Sequence, residues 1–222
     1  AGCHVAFFHY RGAWGSPGTF SFSHVLEDPC SVIDYLKSPE VAAQYRIDTD
    51  NIFVVGHSMG GFAALLTGAA RDDLRGVAGI APYDFGKAYL AAMADPSGAQ
   101  AYEQVMGQPL PELKLETPDV LLKDLEAHAQ QWCFDNQIDR LAGKNVLVFG
   151  FDRDDASTME MHILPFIEKA PGPLRGSGIF CAFSPPPPVF CEPKFSERDG
   201  SMQKKVNVRK IAMTAILSAV AT

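Results

Sequence analysis

Ile52-Phe53-Val54-Val55-Gly56-His57-Ser58-Met59-Gly60-Gly61-Phe62 decides the fold of this chain. Four bulky apolar residues of high β propensity end at a glycine, and small helix-forming residues resume within a few positions and continue to Ala70. A strand that turns into a helix over so few residues bends sharply. Glycine is needed on both sides of the bend, because a β-carbon there would strike the neighbouring strand or helix.

The pattern repeats on either side of that stretch. Downstream, Val77-Ala78-Gly79-Ile80-Ala81 reads as a strand ended by Pro82, Val146-Leu147-Val148-Phe149 as another, and Ile179-Phe180-Cys181-Ala182-Phe183 as a further one. Upstream, Val5-Ala6-Phe7-Phe8-His9-Tyr10 is a continuous apolar run expected to form a strand buried on both faces. Loop chemistry follows from Gly12 to Gly18. Helical spacing of Val25, Leu26, Val32, Ile33 and Leu36 predicts a helix from Ser23 to Leu36, with Ser23 as N-cap and Pro29 kinking or delaying it. Met159 to Ile167 and about Val208 to Val220 read as further helices, and Pro185 to Pro188 as a polyproline segment. Alternating strands and helices predict an α/β fold, with a mainly parallel sheet covered by helices on both faces. Residues 84–142 interrupt the rhythm with helical runs only. They read as a helical lid or cap inserted into a core made of 1–83 and 143–222. Phe85, Tyr89, Tyr102 and Trp132 are expected either to wall an apolar pocket or to form the insertion's own core.

Composition narrows the function classes. With 222 residues and 47% hydrophobic content the chain can bury one sizeable core. A net charge of −7 argues against a nucleic-acid partner, and the basic run Lys204, Lys205, Arg209 and Lys210 reads as a solvated face. Five cysteines at irregular spacing read as buried thiols of a reducing, cytoplasmic compartment, with a Cys181–Cys191 bridge as the alternative. No apolar stretch is long enough for a membrane span. The chain opens at Ala1 without an initiating Met and reads as a cut or processed piece of a longer one.

The chemistry sits in the same bend. Gly56-His57-Ser58-Met59-Gly60 fits the pattern G-x-S-x-G, which lifts a serine hydroxyl above the sheet at the start of a helix. Ser58 is then a candidate nucleophile. The Met59 N–H is a candidate oxyanion donor, reinforced by the helix dipole. Trp14, on the loop after the first predicted strand, is a candidate substrate-binding residue, because that loop is expected at the same sheet edge. Arg11 reads as a loop anchor.

Three stretches, Tyr10-Arg11-Gly12-Ala13-Trp14-Gly15-Ser16, Gly56 to Gly61, and Val146 to Asp154, make the chain resemble the α/β-hydrolase superfamily. The resemblance is nearest to dienelactone-hydrolase-like and prolyl-oligopeptidase-like serine hydrolases. It implies a triad in chain order Ser, Asp, His, with Asp154 as the matching acid and Asp152 as the alternative; the cluster could equally cap the next helix. In similar hydrolases the histidine follows the last strand, here 184–205, and that stretch contains none. His162 is the single histidine after Asp154 and is the candidate base, against a structural role; His57 reads as packing, and Lys194 is a remote alternative. The resemblance also implies a second oxyanion donor upstream of Ala1. The implied activity is hydrolysis of a carboxylic ester, thioester or small amide through an acyl-serine, without cofactor or metal, on a small-molecule or short peptide substrate. A peptidase of prolyl-oligopeptidase type is an alternative enzyme. A catalytically impaired pseudo-hydrolase or fragment serving as a binding or scaffold module is the competing class.

Overall fold

The structure, a computed structural model, describes residues 3–108, 110–169 and 179–184. Four strands form one sheet in the order β1 (Phe53–His57), β2 (Gly76–Ile80), β3 (Val146–Phe151) and β4 (Ile179–Ser184), every neighbouring pair parallel. Phe53 pairs with Gly76, Val77 with Val146, and Val146 with Ile179, so the strands start level. Parallel strands in sequence order need a crossover between each pair. These are α3 (Met59–Ala70), the helical set α4 (Phe85–Met93), α5 (Pro96–Met106), α6 (Val120–Trp132) and α7 (Ile138–Leu141), and α8 (Leu164–Lys169). Two helices precede the sheet, α1 (Phe22–Lys37) and α2 (Pro39–Tyr45). This is the α/β-hydrolase fold, with helices on both faces of the sheet.

The core is centred on α3. Phe62, Ala63, Ala64 and Leu65 on it are fully buried, which is why that helix is rich in small residues. Phe62 meets Phe85, Trp132 and Phe134 at ring distances of 5.2, 5.9 and 6.2 Å. Phe22 of α1 meets Phe85 at 4.4 Å and Trp132 at 6.4 Å. The aromatic residues Phe85 and Trp132 of the 84–142 segment therefore share a core with α1 and α3. Tyr89 and Tyr102 pack on each other at 6.0 Å. The same segment is tied to the glycine-rich loop by backbone bonds from Trp14 N–H to Glu112 O at 2.9 Å and from Lys114 N–H to Gly12 O at 2.7 Å.

Three expectations are corrected. Val5–Tyr10 is not one of the strands; Val5 and Phe7 are 47% and 64% exposed, while Tyr10 is buried. Within this run Ala6 alone forms a β-bridge among the described residues, so the pairing is a single contact and not a ladder. The N-cap of α1 is Ser21, whose hydroxyl accepts from His24 N–H; Ser23 instead donates its hydroxyl to Asp124 at 2.9 Å, and the helix runs through Pro29. The thiols are not all buried, since Cys3 is exposed and Cys30 half-buried, while Cys133 is buried. Lys194, the Cys181–Cys191 pairing, the four prolines, the basic run and the last predicted helix lie outside what the structure describes.

Candidate active site

Ser58 ends β1 and caps α3 with φ 53° and ψ −117°, a conformation that costs a non-glycine residue on the order of 1–3 kcal/mol. Its neighbours explain how the bend closes. A β-carbon on Gly56 would overlap the Gly60 carbonyl, and one on Gly61 would come within 2.9 Å of Pro82. The Ser58 N–H donates to Ile80 O at 2.9 Å, and its carbonyl accepts from Phe62 N–H and Tyr83 N–H at 3.0 and 3.3 Å. The backbone is thus fixed from both adjoining elements. The hydroxyl makes no hydrogen bond to any described residue, and Ser58 is only partly buried. Met59 is the first residue of α3. Its N–H has no intrahelical acceptor and carries the positive end of the helix dipole.

The loops after β2 and β3 are laced to one another beside the bend. Ala81, also at positive φ, leads into Pro82, and the Pro82 carbonyl accepts from the buried Ser157 hydroxyl at 2.9 Å. Asp154 lies past β3, half-buried, and its Oδ1 accepts from Ala156 N–H and Ser157 N–H at 3.0 and 2.8 Å. That is a turn-capping role for one oxygen, while Oδ2 bonds to no described residue. Asp152 and Asp155 are exposed.

His162 is placed differently from what a base for Ser58 requires. It lies in a single wide turn, Met159–Ile163, and is 3% exposed. Its Nδ1 accepts from the Asp84 N–H at 3.0 Å, and its ring stacks on Tyr83 at 4.3 Å. Burial pushes its pKa down to about 4, against the opposing pull of the Ala156 backbone and the Asp154 charge. No hydrogen bond joins it to Ser58 or to Asp154 among the described residues. The structure brings Ser58, Met59 and the Asp154 loop to one sheet edge, and it engages His162 in supporting the Pro82–Asp84 turn.

Two remaining candidates are also settled in position. Trp14 has φ 52° and an indole 54% exposed, held through its backbone bond to Glu112. Arg11 is an anchor: its N–H and Nε meet the Asp28 carboxylate at 2.8 and 2.5 Å, and Nη2 meets Glu27 at 2.6 Å.

Asp84 is the residue that sequence reading overlooked. It is 1% exposed, caps α4 by accepting from Lys87 N–H at 2.9 Å, and accepts from Phe134 N–H with its other oxygen at 2.9 Å. Desolvation pushes its pKa up to about 6. An aspartate shortly after a strand-ending proline and just before a helical run is an N-cap signal. Its burial could not be foreseen, because Phe134 and His162 are distant in sequence.

Over residues 1–138 the sequence matches the family described as serine aminopeptidase, S33. The chain belongs to this α/β-hydrolase family. Its fold is similar to that of mouse α/β-hydrolase domain-containing protein 10, at TM-score 0.54 and 17% identity over 79% of this chain and 66% of that one. A putative hydrolase from Agrobacterium vitis S4 gives 0.51 and 22% over 79% and 65%. Paleococcus ferrophilus monoacylglycerol lipase gives 0.50 and 19% over 79% and 72%. The chain thus spans about two thirds of the length of these hydrolases. No curated protein matches it. Among the described residues no helix is long and apolar enough to cross a membrane.

Proposed function

We propose that this S33-family hydrolase acts through Ser58, forming an acyl-serine with a small carboxylic ester or thioester. The observation that carries this reading is the Ser58 hydroxyl itself, held on a strained turn at the start of α3 with no hydrogen-bond partner among the described residues. In the step, Ser58 Oγ bonds to the substrate carbonyl carbon as its proton passes to a base. The carbonyl oxygen becomes an alkoxide facing the Met59 N–H, and the alcohol or thiol leaves with that proton. Asp154, with Oδ2 uncommitted, is the acid that orients the base. His162 is the histidine assigned to proton transfer, and its Nδ1 is held by the Asp84 N–H. The 84–142 segment is the cap above this edge, and Trp14 is offered to substrate from the facing loop. A short peptide amide is the second substrate class, in keeping with the family's aminopeptidase description.

The locked state of His162 favours a second reading, a hydrolase fold with little turnover that serves for binding. Losing the base costs on the order of 10⁴–10⁶ in turnover. A fluorophosphonate probe separates the two. Labelling of the wild type and none of Ser58→Ala supports an activated serine; absence of labelling in both sinks it and leaves the binding role. Among labelled proteins, hydrolysis of a p-nitrophenyl ester but not of an aminoacyl p-nitroanilide assigns the ester class.

A further inference from the structure

We propose that the cleft between α3, the end of α6 and α7 is a second binding site, for a small organic carboxylate with a flat apolar body. It measures about 470 Å³, within the usual range of small-molecule pockets. Leu66, Ala70 and Trp132 line it together with Thr67, Gln131 and Arg140. The cleft is distinct from the Ser58 edge. Thr67 lies nine residues along α3 from Ser58, about 13 Å at the helical rise.

Three observations give the ligand its chemistry. No carboxylate lines the cleft, although the chain carries a net charge of −7. Arg140 makes no ion pair or hydrogen bond among the described residues, so its planar fork of donors is free for a carboxylate. Thr67 lines the same cleft, and its buried hydroxyl has no partner among the described residues. The lining is also prearranged. Asn136 donates its amide to Gln130 O at 2.7 Å, and Gln137 donates its own to Gln131 O, which fixes these two side chains and leaves the Gln130 and Gln131 amide N–H groups to donate to the carboxylate. Trp132, 7% exposed and wedged on Phe22 and Phe62, presents a rigid surface for the apolar body.

The test uses the full chain and 4-fluorophenylacetate followed by fluorine NMR. A ligand of this size and one good ion pair should bind with a dissociation constant on the order of 1 mM. Arg140→Gln, an exposed change, should weaken binding about tenfold, and Ala70→Trp, which fills the cleft, should abolish it. Ser58→Ala should bind as the wild type does, so the result stands apart from the fate of the nucleophile. The proposal is overturned by no binding at 20-fold that concentration (roughly 20 mM). It is overturned equally by 4-fluorophenylacetamide binding as tightly as the acid, or by undiminished binding to Ala70→Trp.

Discussion

Ser58 and His162 follow β1 and β3, on the same side of the sheet with β2 between them, and are opposites. Ser58 has a strained backbone, a hydroxyl without a partner among the described residues, and partial exposure. His162 is buried, stacked on Tyr83 and bonded to the Asp84 N–H. Strain held in place by surrounding structure is how a fold keeps a reactive group ready, because the residue cannot relax into its neighbours. A buried, desolvated imidazole engaged through Nδ1 is the reverse arrangement: every contact that stabilises it lowers its availability. The difference shows that the nucleophile's geometry and the proton-transfer geometry are separate constructions, the first built by local backbone and the second by long-range packing.

The sharpest way to break the Ser58 side is through Gly56. Its missing β-carbon is what lets Gly60 and Gly61 approach. Gly56→Ala must displace helix backbone rather than a flexible side chain, so a loss of about 4 kcal/mol or more is expected, enough to unfold a marginal domain. Urea unfolding monitored by circular dichroism checks it. A variant that unfolds within about 1 kcal/mol of wild type would mean the turn is looser than described.

That contrast also explains what the sequence could disclose. The elbow was legible because its requirements are local: strand formers, glycines at fixed offsets and a helix within a dozen residues. The parallel order of the strands was legible for the same reason. Val5–Tyr10 misled because apolar composition reports strand propensity and not whether a partner strand lies alongside. The roles of His162, Asp84 and Ser157 were hidden because each depends on a residue dozens of positions away, as with Asp84 and Phe134 or Ser157 and Pro82. Asp154 was ambiguous between acid and cap, and its two oxygens divide those roles.

The His162 side is best probed by pH. Its folded pKa, about 4, is below the unfolded value of 6.5, so the unfolded chain binds the proton first and stability falls as pH drops from 6.5 to 4. Asp84 has the opposite sign. Its folded pKa, about 6, exceeds the unfolded 3.8, so stability rises as pH drops through the same range. Each effect is on the order of 3 kcal/mol, and together they largely cancel. Wild-type stability should be nearly flat between pH 6 and 4. Asp84→Asn should become less stable toward pH 4, and His162→Phe more stable. Denaturant midpoints at several pH values measure this, and parallel curves for all three proteins would remove both titrations from the account.

The smallest expected effect isolates the strain itself. Glycine in place of an exposed residue normally lowers stability by about 0.5–1 kcal/mol relative to alanine, through the entropy of the unfolded chain. At φ 53° and ψ −117° the order should invert, because glycine enters that region without penalty while alanine keeps the strain of the serine. Ser58→Gly should therefore exceed Ser58→Ala by about 1 kcal/mol, or about 2–4 °C in Tm. Both variants lack the hydroxyl, so the comparison cancels its solvation and leaves the backbone term alone. Calorimetry finding alanine the more stable of the two would show that the turn relaxes around Ser58, and the hydroxyl would then lose the rigid presentation on which its reactivity depends.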